Sequence, residues 1–184
     1  IAIGGSSGAL KAVSSIFSKL SNTLRIPIGI VFHRLAVGGP GLKHLLQTNI
    51  HLPVVEPHDK QLIKESTIYL APANYHLLVE RNRSFSFSYA DAVRYSRPSI
   101  DVFFQSAAEV FKNRLIGILL SGGNEDGTEG MEHINKHGGR IIIQSPHEAQ
   151  MPIMPGSVQK KMKPHLSGTT NDIAKYLNGL NYGK

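Results

Sequence analysis

A short apolar run, Ile1-Ala2-Ile3, passes directly into Gly4-Gly5-Ser6-Ser7-Gly8, and apolar residues then recur at helical spacing. A buried strand that ends in glycines and opens a helix can turn only sharply. Ser6 stands between Gly4 and Gly8 in a Gly-x-Ser-x-Gly arrangement. The glycines permit the tight turn, and the serine hydroxyl projects from its apex. The same geometry can seat a phosphate on the helix N-terminus. The opening turn therefore admits two readings, a nucleophile or an anion cradle.

The rest of the chain alternates in the same way. Ile1–Gly4 reads as a strand and Ser7–Leu20 as an amphipathic helix, with Leu10, Val13, Ile16, Phe17 and Leu20 on one stripe. Residues 27–32 form the next apolar run, which makes a βαβ unit and implies a parallel sheet with a right-handed crossover. Gly39–Thr48 reads as a short helix, residues 53–55 and 67–72 as strands, and residues 76–80 and 84–88 as a β-hairpin with one wet face. Residues 89–97 read as a loop, Pro98 as the opening of a helix to about Lys112, and residues 115–120 as a central strand. A second glycine-rich loop, residues 121–127, precedes a helix over Thr128–His137 and a strand over Arg140–Gln144. Residues 145–155 read as a loop with three prolines, residues 156–162 as one or two helical turns, and residues 171–180 as a terminal helix. The expected fold is α/β: a doubly wound, mostly parallel three-layer sheet with an antiparallel hairpin, in one domain over residues 1–184.

Composition narrows the chemistry. A chain of 184 residues with 41% hydrophobic content suits one sizeable core. It has no cysteine, which removes disulfides, thiolate metal sites and a cysteine nucleophile. No apolar run approaches the roughly 18 residues of a membrane span. No signal peptide is expected, because the N-terminus enters a core strand; the absent initiator Met points to residues that were removed or that belong to an unseen upstream segment. The net charge of +7 favours acidic partners. The basic residues are scattered, apart from Lys160-Lys161-Met162-Lys163, and the few aromatics do not interleave with them, so nucleic acid is not an expected partner.

In open parallel sheets, sites form beyond the carboxyl ends of the strands. Three expected strands end near polar groups: the first at Ser6, the second at His33 and the late central one near Asp126. A serine needs a base, and a carboxylate fixes the base's tautomer. Each residue also has a structural reading: Ser6 as a helix cap, His33 as a satisfied strand-end histidine, Asp126 as the cap of the helix near Thr128. The order Ser…His…Asp differs from that of the α/β-hydrolases. A dinucleotide site is disfavoured, since only Gly5-x-x-Gly8 of the fingerprint is present and His33 replaces the acidic residue. His133 and His137, one helical turn apart, lack a third ligand, and no metal or other cofactor is expected.

Ile3-Gly4-Gly5-Ser6-Ser7-Gly8, Val31-Phe32-His33-Arg34, Tyr69-Leu70-Ala71-Pro72, residues 95–102 (Tyr-Ser-Arg-Pro-Ser-Ile-Asp-Val) and residues 120–131 carry a resemblance across nearly the whole chain. In this order they resemble the catalytic domain of the chemotaxis protein-glutamate methylesterases, the CheB family. The resemblance implies hydrolysis of γ-glutamyl methyl esters on cytoplasmic helices of methylated chemoreceptors or a related protein. It also implies possible deamidation of receptor glutamines, a cytoplasmic location and no membrane insertion. Matched by position, the nucleophile falls on Ser6, the base on His33 and the orienting carboxylate on Asp126. The backbone amides of Ser7 and Gly123 match the oxyanion donors; Arg34 and Arg97 fall in supporting or substrate-binding positions, and Asp101 in a supporting one. The chain departs from the family where Ser6-Ser7-Gly8-Ala9 replaces Ser-Thr-Gly-Gly, where Gly123 replaces a common methionine, and in lacking a receiver domain. The alternative is a catalytically silent interaction domain of the same fold.

Overall fold

The computed structural model describes residues 1–21, 23–33, 41–48 and 50–180. Seven strands form one sheet in the order β3-β4-β2-β1-β7-β8-β9, and every pairing in it is parallel. These strands are β1 (Ala2–Gly5), β2 (Ile28–Phe32), β3 (Val54–Val55), β4 (Ile68–Leu70), β7 (Ile116–Leu119), β8 (Arg140–Gln144) and β9 (Leu166–Gly168). Strands β5 (His76–Val79) and β6 (Phe85–Ser88) form the separate antiparallel hairpin. The doubly wound, mostly parallel fold expected from the sequence is the one observed.

Strand alternation divides the core into two layers. Ile3, Ile30 and Ile118 face one layer, where α1 (Ala9–Phe17) and α6 (Thr170–Asn178) contribute Val13, Ile16 and Leu177. Ala2, Val31 and Leu119 face the other, filled by Phe103 and Phe104 of α3 (Ile100–Phe111), by Met131 of α4 (Thr128–Lys136) and by Leu77 and Phe85 of the hairpin. A strand buried on both faces has no polar side to show, which is why β1, β2 and β7 read as unbroken apolar or glycine runs.

Several boundaries differ from those read in the sequence. Helix α1 begins at Ala9, not Ser7, because its N-cap Gly8 is left-handed at φ 84°. Of the expected helix at Gly39–Thr48, Gly41–Gln47 is helical (α2), while Gly39 and Pro40 lie outside the described residues. Helix α5 spans Ile153–Lys161 and so starts inside the proline-rich segment; Pro155 is in its first turn, where a missing N–H costs no hydrogen bond. Strand β9 escaped the sequence reading. It is three residues long, sits at the sheet edge beside β8, and shows no buried periodicity. The hairpin lacks the expected wet face: His76 and Ser86 are buried on the side opposite Leu77 and Phe85. Among the described residues, no helix is long and apolar enough to cross a membrane.

Candidate active site

The sheet reverses its direction of growth between β1 and β7. The carboxyl ends of β2, β1 and β7 lie side by side there, which is where an open parallel sheet leaves a crevice. Backbone hydrogen bonds continue the ladder one residue past the strands. The Ser6 amide donates to the Ser121 carbonyl at 2.9 Å, and the His33 amide donates to the Gly5 carbonyl at 3.3 Å. Ser6 and His33 are therefore held beside each other by main chain, not by side-chain packing.

Ser6 does not cap α1. The cap position is Gly8, with no side-chain cap bond, and the Ser6 carbonyl accepts from the Ala9 amide at 3.0 Å. The serine hydroxyl has no hydrogen-bond partner among the described residues and is partly exposed. Ser121, 1% exposed, braces the turn: its hydroxyl donates to the Ser7 carbonyl at 2.7 Å and accepts from the Met151 amide at 2.9 Å.

His33 and Asp126 meet directly, with Nε2 2.7 Å from Oδ2; the histidine side chain is 13% exposed and the carboxylate fully buried. Among the described residues, Asp126 accepts five hydrogen bonds. Oδ2 takes His33 Nε2 and the Ile100 amide, and Oδ1 takes the Ser99 hydroxyl and the amides of Asp101 and Gly127. A carboxylate offers about four lone-pair sites, so this one is saturated. Burial pushes the Asp126 pKa up, but the His33 N–H and the Ile100 and Asp101 amides outweigh it and hold the pKa below its ordinary value. The ionised carboxylate can only accept, so Nε2 of His33 carries a proton, and in the neutral ring Nδ1 is the nitrogen with the lone pair.

Asp126 is a helix cap, but not of the helix that follows it. The N-cap of α4 is Gly127, at φ 94° and without a side-chain cap bond. Asp126 instead closes α3, which comes earlier in the chain. The four free amides at the start of that helix are all accounted for: Ser99 donates to His76 Nδ1 at 3.1 Å, Ile100 and Asp101 to Asp126, and Val102 to the Ser99 hydroxyl at 3.5 Å. Helix α3 thus begins after Ser99, and Pro98 lies just outside it.

The remaining expected residues fall as follows. Ser7 and Gly123 are exposed beside the crevice, and neither backbone amide donates a hydrogen bond among the described residues. A Cβ added to Gly123 would meet only Met151 Cε, at 3.6 Å, so a larger residue has room there. Arg97 is engaged on its own loop: its guanidinium lies 3.9 Å over the Tyr89 ring and donates to the Tyr89 and Ala90 carbonyls at 3.3 and 3.1 Å. It secures the loop before Ser99. Arg34 lies outside the described residues. Asp101 is buried behind the site, accepts the Gly130 amide at 2.7 Å, and has Arg94 Nε at 3.5 Å. Burial, more than the neighbouring Asp126 charge, raises its pKa to about 7. His133 and His137 stack at 4.5 Å between ring centroids, and His137 Nδ1 is engaged by the His133 carbonyl. Ser99 and Ser121 were not singled out in the sequence. Ser99 lies within the segment that carries the resemblance, but nothing local shows that its hydroxyl reaches Asp126.

A serine, a histidine with a free ring nitrogen and an ionised carboxylate at one sheet edge are the groups that acyl transfer uses. The chain belongs to the CheB methylesterase family, whose model matches residues 1–177. A Leptospira interrogans protein provisionally named protein-glutamate methylesterase/protein-glutamine glutaminase is 40% identical over 157 residues, covering 85% of this chain and 81% of that protein. Protein-glutamate methylesterase FrzG of Myxococcus xanthus is 35% identical over 144 residues, covering 78% of this chain but 43% of FrzG. The protein-glutamate methylesterase/protein-glutamine glutaminase of Trichodesmium erythraeum is 30% identical over 161 residues, with 86% of this chain and 46% of that protein covered. The chain thus spans under half the length of these last two relatives. The crystal structure of the Thermotoga maritima CheB methylesterase catalytic domain superposes with a TM-score of 0.92 at 26% identity, covering 97% of this chain and 96% of that one.

Proposed function

We propose that residues 1–184 act as one catalytic domain that hydrolyses γ-glutamyl methyl esters on methylated chemoreceptor helices, with Ser6 as nucleophile, His33 as base and Asp126 as orienting carboxylate. The observation that carries this reading is the 2.7 Å contact of His33 Nε2 with Asp126, made by a residue whose backbone amide is bonded to Gly5, next to Ser6. Nδ1 of His33 takes the Ser6 hydroxyl proton as Oγ attacks the ester carbonyl. The free amides of Ser7 and Gly123 receive the oxyanion, each well-placed donor supplying about 3 kcal/mol of transition-state stabilisation. His33 returns the proton to the departing methoxide, and methanol leaves. Water then attacks the acyl-serine, with His33 again as base, and the glutamate carboxylate is released. The same steps on a glutamine would release ammonia.

An open groove beside Gly123, lined by Arg94, Tyr95, Asn124, Glu125 and Ile153 and with Tyr95 wholly exposed, supports an approach of the substrate from this side. The test is methanol release from methylated receptor by the wild type and by Ser6→Ala. The wild type should turn over and the variant should not, with an unchanged melting temperature, since the Ser6 hydroxyl holds nothing in place. Equal turnover by the two proteins would overturn the assignment.

A further inference from the structure

The orienting carboxylate is itself oriented, and the hydrogen bonds lead back to a second histidine. His76 opens β5 and is 1% exposed. Both its ring nitrogens are engaged. Nδ1 accepts from the Ser99 amide at 3.1 Å, and Nε2 lies 3.0 Å from the Asp91 carbonyl. A backbone amide can only donate and a carbonyl can only accept, so the proton sits on Nε2 and the lone pair on Nδ1. Ser99 in turn donates its hydroxyl to Asp126 Oδ1 at 3.0 Å, and Asp126 holds the His33 ring.

The geometry points to His76 as a positioning residue for the reaction, a role that rests on the reading of Ser6, His33 and Asp126 given above. The ring clamps the Ser99 peptide at the point where α3 begins. Three of the five donors to Asp126 follow directly from that peptide: the Ser99 hydroxyl and the amides of Ile100 and Asp101. A tilt of the peptide would redirect all three and rotate the carboxylate under the His33 ring. A hydrogen-bonded chain of this kind is rigid only when every member is satisfied. His76 thereby ties the hairpin and the loop before Ser99 to the catalytic base without touching substrate.

Two substitutions separate positioning from packing. His76→Asn keeps an acceptor near the Nδ1 position and loses the link to Asp91; His76→Gln keeps a donor near the Nε2 position and loses the acceptor for the Ser99 amide. In methanol release from methylated receptor, His76→Asn should stay within about threefold of wild-type kcat. His76→Gln should lose on the order of 10- to 100-fold in kcat with KM unchanged, the range expected for a small misplacement of a catalytic group. The downfield proton resonance of His33 Nε2–H, which needs no substrate, should persist in His76→Asn and broaden or shift in His76→Gln at matched thermal stability. Equal kcat losses in the two variants, or an unaltered His33 resonance in His76→Gln, would overturn the proposal. Nitrogen-15 shifts of His76 in the wild-type protein decide the point even where a variant does not fold: a protonated Nδ1 would refute it, an unprotonated one supports it. A wild type that releases no methanol would sink the methylesterase reading alone, since the resonance comparison does not depend on it.

Discussion

The Asp126 carboxylate accepts the Ile100 amide at 2.8 Å, so a residue following β7 caps a helix that precedes β7. One side chain therefore does two things. It satisfies the start of α3, and it holds the Nε2–H of His33. The cap expected for the helix near Thr128 falls on α3 instead, and the same carboxylate that closes α3 is the one bonded to His33.

That dual role predicts a coupled loss. Asp126→Ala should lower stability by about 3 kcal/mol, because buried amide and hydroxyl donors lose their acceptor. It should also reduce methanol release by about 10³- to 10⁴-fold, because nothing then fixes the His33 tautomer. Urea unfolding and a turnover assay on the same preparation check both. Full stability with full activity would contradict the geometry.

Gly123 should tolerate a side chain. Its Cβ would meet only Met151 Cε at 3.6 Å, and its backbone is not left-handed. Gly123→Ala is expected to change stability by less than about 0.5 kcal/mol and to retain turnover. A collapse of activity at unchanged stability would show that the loop needs glycine for motion.

Gly127 should not tolerate one. At φ 94° its Cβ would lie 2.6 Å from Leu119 Cδ1 and 2.9 Å from Ile100 Cγ2. Gly127→Ala is expected to cost about 2 kcal/mol or more. Gly156 lies inside α5 with nothing within 4 Å of its Cβ position, so Gly156→Ala should stabilise by about 0.5–1 kcal/mol. Denaturant midpoints of the two variants should move in opposite directions.

Asp101 and Asp126 should give stability opposite pH dependences. The Asp101 pKa is raised from 3.8 to about 7, so between these values the folded protein binds more protons than the unfolded chain there. Stability from this group falls as pH rises through that window. The Asp126 pKa is lowered, so its contribution is present above the unfolded value of 3.8 and is lost as pH falls through the folded value. Asp101→Asn keeps an oxygen for the Gly130 amide and cannot ionise. Its stability relative to wild type should therefore improve between pH 5 and 8, measured by denaturant unfolding at each pH. A difference that is constant with pH would argue against a buried neutral Asp101.

The Gly-rich turn at Ser6, the βαβ opening, the apolar strands and the placing of Ser6, His33 and Asp126 at strand ends were legible in the sequence. All follow from neighbours a few residues apart, through strand and helix periodicity and the steric freedom of glycine. What the tertiary structure alone decided depends on residues far apart in the chain: that Asp126 caps α3, that Ser99 and His76 stand behind it, that Arg97 faces Tyr89, and that β9 completes the sheet edge. Hydrogen bonds between distant segments leave no period in the sequence. A carboxylate shows only that it must be paired once buried; which amides pair it is settled when the strands and α3 pack together.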